Sequence, residues 1–165
     1  MRSVPVVTLA ALLLATACAP KTAAPAAVAV VDTTAVKTGL DSLRARYIAL
    51  RTGDDAAGLA GLYSADAGID QYGLPRLRGR PSIEAAFKTD MAARKYTLLE
   101  IMPLNLEART NTDASEIGTY HEMSDSSGTK GHAWGRYLAA FTKESDGMWR
   151  LVYLIGFPDS TRVDK

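Results

Sequence analysis

The sequence has few of the residue types on which many binding and catalytic sites depend. Its 165 residues include one cysteine and two histidines. A lone cysteine excludes an internal disulfide, and two separated histidines with scattered acids do not form the ligand set of a zinc site. The 19 basic and 18 acidic residues nearly cancel and do not cluster, so the basic surface that nucleic-acid binding requires is missing. We therefore expect neither a metal site nor a nucleic-acid partner.

Motifs of nucleotide-dependent and nucleophilic enzymes are also missing. The sequence contains no dinucleotide fingerprint and no G-x-S-x-G motif. The arginine-rich turn GLPRLRGRP, from Gly73 to Pro81, lacks the several glycines and the lysine of a phosphate-binding loop. Pro81 suits the first position of a helix, where a missing N–H costs nothing. We interpret this turn as scaffold and expect no cofactor.

The longest apolar run lies at the N-terminus. Residues 1–18 combine Arg2, an apolar segment and small residues before Cys18, which is typical of a secretory signal and too short to span a bilayer. The stretch LLATAC resembles a bacterial lipobox, whose cysteine is lipidated, although Ala15 stands where leucine is usual. Ordinary signal-peptidase cleavage is the alternative. We expect a lipoprotein of the bacterial cell envelope, on the outer membrane if one is present because Ala19 is not the aspartate of a retention signal, or else a secreted protein.

Composition divides the chain into four segments. Residues 1–18 are the predicted signal peptide. Residues 19–37 are rich in alanine and proline and poor in large side chains, so they predict a flexible tether. Residues 38–160 have the length of one ordinary domain, and residues 161–165 are a predicted tail.

Hydrophobic periodicity in the domain predicts three helices and one early strand, followed by an antiparallel meander. Helical spacing covers Gly39–Arg51, Asp54–Ser64 and a segment starting at Pro81. Strand patterns cover Ala65–Tyr72, Leu98–Ala108, Ala114–Met123, His132–Lys143 and Met148–Phe157. This order predicts an α+β fold, a cone-shaped roll in which a strongly curved, mostly antiparallel sheet wraps on three N-terminal helices.

An ordered series of short motifs resembles the nuclear transport factor 2-like superfamily and, within it, the SnoaL-like group. Each motif is weak alone, but together they span nearly the whole domain in order. They are Tyr47, Thr52–Asp54, Leu62–Ala67, Leu77–Arg80 with Ile83 and Phe87, Ser115–Tyr120, Gly135–Tyr137 and Asp146–Leu151.

The resemblance implies a cone whose open end admits small, mostly apolar molecules. Members include ketosteroid isomerase, dehydratases, polyketide cyclases and epoxide hydrolases, besides proteins without known chemistry, so the fold alone does not give function. Against the isomerase pattern, Tyr47 matches the helix tyrosine loosely and Gln71 occupies the position of the base. Leu154 stands where many SnoaL-like chains carry an aspartate on the last strand. Glutamine cannot act as a base, so we assign no catalytic residue from this pattern.

The remaining candidates depend on which way each strand faces. Glu116 and Arg136 could meet inside the cone or form an exposed pair on its convex face. His132 could lie opposite Glu122 or near Tyr120, and a shift of one residue would turn it outward. Aromatic side chains could line the cone or fill the core. The candidate ligand-binding residues are Tyr47, Tyr63, Gln71, Glu116, Tyr120, His132, Trp134 and Arg136.

Three functions are compatible with this pattern. The first is a lipid-anchored module that binds a small apolar or amphipathic molecule and touches the membrane through its anchor only. The second is an isomerase, lyase or hydrolase in which His132 and Glu116 exchange protons, which requires both to point into the cone. The third is an interaction protein that forms a homodimer through its sheet and has a vestigial pocket.

Overall fold

Residues 30–164, described by a computed structural model of the chain, form three helices and one six-stranded sheet. The predicted signal peptide and most of the predicted tether lie outside the described residues. The sheet is curved and does not close into a barrel, which confirms the predicted α+β roll. The elements are α1 (Thr33–Thr52), α2 (Ala56–Ala60), β1 (Tyr63–Gln71), β2 (Leu77–Arg78), α3 (Arg80–Ala93), β3 (Lys95–Ala108), β4 (Asp113–Ser126), β5 (Thr129–Lys143) and β6 (Trp149–Val163).

The sheet has the strand order β2-β1-β6-β5-β4-β3. Strands β3 to β6 form the predicted antiparallel meander, because each strand pairs with the next one along the chain. Strand β1 pairs with β6 in parallel, and the short strand β2 extends the sheet beyond β1. The first and last strands of the domain are therefore neighbours.

Both ends of the domain extend further than the sequence pattern predicts. Helix α1 begins at Thr33 because the Asp32 carboxylate accepts a hydrogen bond from the Ala35 N–H at 2.9 Å, and Val36 joins the buried face of the helix. The last part of the predicted tether is therefore helical. Strand β6 continues to Val163, which pairs with Gly131 of β5, so the predicted tail is mostly strand.

The turn before α3 is structural, as its sequence predicted. Gly79 caps the helix with φ of +77°, a conformation that favours glycine, and its N–H donates to the Ala67 carbonyl at 2.8 Å. Pro81 follows in the first turn of the helix. The Arg80 guanidinium donates two hydrogen bonds, of 2.9 and 2.7 Å, to the Tyr63 carbonyl oxygen. These bonds attach the start of α3 to the start of β1.

The hydrophobic core lies between the helices and the sheet. Leu40 of α1, Leu59 of α2 and Ile83 of α3 are fully buried there, and Leu151 of β6 packs in the same cluster. The core fills one part of the space that the sheet encloses and leaves a cavity in the rest. Within residues 30–164, no helix combines the length and the apolar character needed to cross a bilayer.

Candidate functional site

A cavity of about 420 Å³ lies between helices α1 and α3 and the inner face of the sheet. Alternate residues of each strand point into the cavity. Most of the side chains that face it are aliphatic or aromatic. Gln71, at the exposed end of β1, and the exposed Leu74 mark its opening. The apolar part of the wall consists of Leu43, Ile69, Leu74, Leu77, Ala86, Phe87, Leu99, Ile101, Ala139, Phe141, Leu151 and Leu154.

One group of polar side chains in the wall is centred on Glu116 of β4. This carboxylate is 2% exposed and accepts hydrogen bonds from Arg44 of α1 at 2.6 Å and from the Tyr137 hydroxyl at 2.7 Å. Arg44 also bonds to Asp41, one turn earlier in α1. Burial, together with the hydrogen bond to Glu116, holds the pKa of Tyr137 far above its usual range, so the tyrosine remains a donor. The three groups satisfy one another and tie α1 to the sheet.

A second polar group forms where α1, α3 and β3 meet. Arg51 Nη2 lies 2.8 Å from Asp90 Oδ2, and the Tyr96 hydroxyl donates to the same oxygen at 2.8 Å. The Arg51 guanidinium also sits 3.7 Å above the centre of the Tyr96 ring. Arg94 reaches the other Asp90 oxygen at 3.2 Å. Asp90 is therefore shared by two arginines and one tyrosine.

Three further polar side chains line the cavity without these attachments. Gln71, Tyr120 and Glu122 make no side-chain hydrogen bond or ion pair with any other residue between 30 and 164. Burial raises the pKa of the Glu122 carboxyl, although nearby Arg51 opposes the shift. Burial also raises the pKa of Tyr120 to about 12.

Two glycines keep the inner face of the sheet thin beneath two tyrosines. Tyr137 lies across from Gly118, and Tyr120 lies across from Gly135. A methyl group built on Gly118 would come within 2.6 Å of the Tyr137 hydroxyl, and one on Gly135 would come within 2.5 Å of the Tyr120 ring. The tyrosine rings therefore lie over the glycines of the neighbouring strand, which preserves open space in the cavity.

The structure brings together only part of the set that the sequence indicated. Tyr47, Gln71, Glu116 and Tyr120 line the cavity. Tyr63 is fully buried behind it, and its hydroxyl is 3.4 Å from that of Tyr47. The same strand alternation that turns Glu116 inward turns the other three candidates, His132, Trp134 and Arg136, to the outer face.

On the outer face, the two histidines and a tryptophan form a separate cluster. His121 Nε2 lies 3.1 Å from His132 Nδ1, and both rings are nearly parallel to that of Trp134. Arg136 pairs with Asp159 at 2.8 Å and is exposed. Glu116 and Arg136 thus form neither of the two pairs considered from the sequence, and His132 and Glu116 lie on opposite faces. Between residues 30 and 164 there is no group of three metal-ligating side chains.

Several wall residues were absent from the sequence-based set. Glu122 follows Tyr120 by two residues, so strand alternation was a signal that could have identified it. No such signal exists for Arg51 and Asp90, because they come from two helices that only the tertiary fold brings together. The same holds for Arg44.

Comparison with known proteins identifies the fold but not the activity. No family model matches the sequence, and no curated protein matches it in sequence. Among solved structures, the chain is similar to a ketosteroid isomerase-like protein from Erwinia carotovora atroseptica, with a TM-score of 0.66, 12% identity, and coverage of 74% of this chain and 95% of that one. It is also similar to hexachlorocyclohexane dehydrochlorinase type 3 from Novosphingobium barchaimii, with a TM-score of 0.66, 15% identity, and coverage of 81% and 92%.

A third similar structure carries the fold name itself. It is a nuclear transport factor 2-like protein with a cystatin-like fold from Novosphingobium aromaticivorans, with a TM-score of 0.62, 22% identity, and coverage of 73% of this chain and 80% of that one. At these identities the likeness establishes the fold alone. The described domain has the nuclear transport factor 2-like fold, as the ordered motifs of the sequence predicted.

Proposed function

We propose that this domain binds one small, largely apolar molecule inside its cone. The observation that carries this proposal is the open cavity of about 420 Å³, which lies within the usual size range of small-molecule sites. A mainly apolar wall with a few polar groups is also typical of such sites. The alternative of a vestigial, plugged cone is not favoured, because Tyr120 and Tyr137 lie over glycines and leave the space open.

The enzyme alternative loses the acid–base pair on which it depended. His132 and Glu116 lie on opposite faces of the sheet, and Glu116 is bonded to Arg44 and Tyr137. Two of the similar structures bear enzyme names, an isomerase-like protein and a dehydrochlorinase, but at 12% and 15% identity they support only the shared cone. Binding therefore remains the function that the geometry supports best.

Native mass spectrometry of the full chain, with Cys18→Ser to prevent lipidation, tests the proposal. The protein would be purified without detergent and measured under non-denaturing and denaturing conditions. A mass excess that disappears on denaturation is the expected result. The variant Leu154→Trp should abolish the excess by filling the cavity, whereas Leu104→Trp, at an exposed position of β3, should keep it. A bare mass for the parent protein that cell extracts do not shift would contradict binding.

We also propose that the domain is held at a bacterial membrane through a lipidated Cys18. The motif LLATAC and the alanine- and proline-rich segment after it support this proposal. Cys18→Ser should move the protein from the membrane fraction to the soluble fraction of the cell envelope. Equal distribution of the parent protein and the variant would favour ordinary cleavage of the signal peptide.

We further propose that two copies associate through the outer face of the sheet. Ile117, Leu138 and Phe157 are 45%, 38% and 44% exposed there, and Ile117 and Leu138 are cross-strand neighbours. The Arg136–Asp159 pair borders these side chains. A second copy related by a two-fold axis would present the same apolar surface and both signs of charge, which suits self-association.

A further inference from the structure

One residue of the cavity wall carries a buried donor to which the protein offers no acceptor. Within residues 30–164, three buried side-chain atoms lack a hydrogen-bond partner, and Arg51 Nη1 is the one whose residue lines the cavity. The Arg51 side chain is 12% exposed, and Nη1 itself is closed to water. Buried polar groups in folded proteins are almost always hydrogen-bonded. An unbonded one beside a cavity therefore indicates a contact that a bound molecule completes.

The other polar side chains of the wall carry no such indication. Gln71 is exposed, and Tyr120 and Glu122 are half-buried, so water can bond to all three. Glu116 is fully buried but accepts hydrogen bonds from two partners within the protein. Arg51 is therefore the residue of the wall that indicates which polar group a ligand brings.

The Arg51 guanidinium is anchored at its other nitrogen. Nη2 lies 2.8 Å from Asp90 Oδ2, and the guanidinium sits 3.7 Å above the centre of the Tyr96 ring. Both oxygens of Asp90 are already engaged, Oδ2 by Arg51 and Tyr96 and Oδ1 by Arg94 at 3.2 Å. Among residues 30–164, Asp90 is the only carboxylate that pairs with Arg51. The protein therefore holds one side of the guanidinium and leaves the Nη1 side without an acceptor.

The chemistry of a guanidinium limits the group that can meet Nη1. It only donates hydrogen bonds, so the ligand must present an acceptor. A carbonyl-type oxygen only accepts, and it therefore adds no donor that would itself need a partner in the apolar wall. A hydrogen bond from a charged donor is also stronger than one between neutral groups. Because other atoms of Arg51 already line the cavity, a small rotation about the Asp90 contact brings Nη1 to its surface.

We propose that the ligand is a largely apolar molecule bearing a carbonyl-type oxygen, and that this oxygen accepts a hydrogen bond from Arg51 Nη1. A ketone, an ester and a carboxylate all offer such an oxygen. The rest of the molecule lies against the apolar wall, which near Arg51 includes Phe87. This inference rests on the proposed binding function and adds the chemical class of the ligand. It makes Arg51 the residue that determines specificity.

Three matched naphthalene probes test this inference on the full chain carrying Cys18→Ser. 2-Acetylnaphthalene and 2-isopropenylnaphthalene have the same shape, but the first has a carbonyl oxygen where the second has a CH₂ group. 2-Naphthoate presents a carboxylate on the same apolar body. Dissociation constants would be measured at pH 7 by equilibrium dialysis. Because a hydrogen bond to a charged group is among the stronger ones, 2-acetylnaphthalene should bind roughly tenfold or more tightly than 2-isopropenylnaphthalene.

Variants at Arg51 assign the preference to this residue. Arg51→Met removes every donor of the side chain and should bind the two neutral probes with nearly equal affinity. Arg46→Met, at an exposed position of the same helix, is the matched control and should keep the preference. Near-ultraviolet circular dichroism of each variant verifies its fold. If Arg51→Met does not fold, Arg51→Lys serves as the test, because it keeps a charge beside Asp90 but lacks the second nitrogen of the fork.

Infrared spectroscopy adds a readout that does not depend on affinity. The carbonyl stretch of 2-acetylnaphthalene, labelled with ¹³C at the carbonyl carbon, falls in frequency when the oxygen accepts a hydrogen bond. The band of the probe bound to the parent protein should lie below that of the probe in hexane. It should return towards the hexane value in Arg51→Met, and it should stay low in Arg46→Met.

The outcomes separate this inference from the proposed function. If neither oxygen-bearing probe binds more tightly than 2-isopropenylnaphthalene, or if the preference survives in a folded Arg51 variant, the role of Arg51 is overturned while binding in the cavity stands. If the preference holds, the tighter of 2-acetylnaphthalene and 2-naphthoate shows whether the oxygen belongs to a neutral carbonyl or to a carboxylate. If none of the three probes binds, the proposed function falls together with this inference.

Discussion

Glu116 is a buried carboxylate that binds both Arg44 of α1 and Tyr137 of β5 in the cavity wall. Its removal in Glu116→Ala would leave Arg44 without its buried partner, although Asp41 would still bond to it. Breaking a buried ion pair from one side typically costs 3–5 kcal/mol, and we expect destabilisation of roughly that size in urea unfolding.

The exposed Glu107 provides the matched control for this substitution. Glu107→Ala should change stability by less than about 0.5 kcal/mol, as is usual for surface positions. The double variant Arg44→Met/Glu116→Leu should recover much of the lost stability, because it removes both charges together. Equal stability of Glu116→Ala and Glu107→Ala would show that the Arg44–Glu116 pair is unimportant.

Glu122 should make the stability of the protein depend on pH. Burial raises its pKa above the usual 4.5, against the nearby Arg51 and Arg94 and in the same direction as Asp90. A raised carboxyl pKa in the folded state means that stability is complete below pH 4.5 and is lost as pH rises through the folded pKa. Glu122→Gln removes this loss.

The thermal midpoints of the parent protein and Glu122→Gln should therefore be similar near pH 4. At neutral pH the variant should melt at a higher temperature than the parent protein. The difference should grow as pH rises and then reach a plateau above the folded-state pKa, where Glu122 is ionised in both the folded and the unfolded protein. A constant difference from pH 4 to pH 8 would contradict the assignment of this effect to the Glu122 carboxyl.

At the scale of secondary-structure elements, the two strands that carry the tyrosine–glycine pairs should not accept larger residues at those glycines. In Gly135→Ala the added methyl would meet the Phe157 carbonyl and the Tyr120 ring, each at 2.5 Å. We expect destabilisation of about 1–3 kcal/mol, which is typical of overpacking. Urea unfolding measures it.

Gly131→Ala is the control on the same strand. Its nearest neighbour would be the Arg162 carbonyl oxygen at 3.7 Å, an ordinary contact distance, so little change is expected. If both variants lose the same stability, the close packing of Tyr120 over Gly135 does not explain the effect.

The sequence predicted those elements whose limits depend on local signals. Pro81 indicated the start of α3, and the glycines at positions 128 and 147 lie in two of the three hairpin turns of the meander, those between β4 and β5 and between β5 and β6. It predicted α2 as running to Ser64, but the helix ends at Ala60 because β1 already begins at Tyr63 to pair with β6. Pairing with a distant strand leaves no local pattern. For the same reason, alternation identified which residues share a face but not which face is inside.

At the scale of the whole molecule, the exposed apolar surface should control assembly. Leu138→Asp places a charge at the centre of the proposed interface, next to Ile117. We expect a dimer for the parent protein and at least tenfold weaker association for the variant, because a desolvated unpaired charge is costly. Sedimentation velocity measures both. A monomeric parent protein, or a variant that associates as well, would contradict assembly through this face.

The position of β1 beside β6 has a consequence for the time course of folding. The early strand β1 pairs with β6, the last strand of the domain, so the sheet is complete only after residues 149–156 have been synthesised. A nascent chain that lacks residues 149–156 exposes the edge of β1 and lacks the core side chain Leu151. Contacts between such distant segments also slow folding. The domain should therefore fold as one cooperative unit once β6 has been synthesised, rather than in steps before that point.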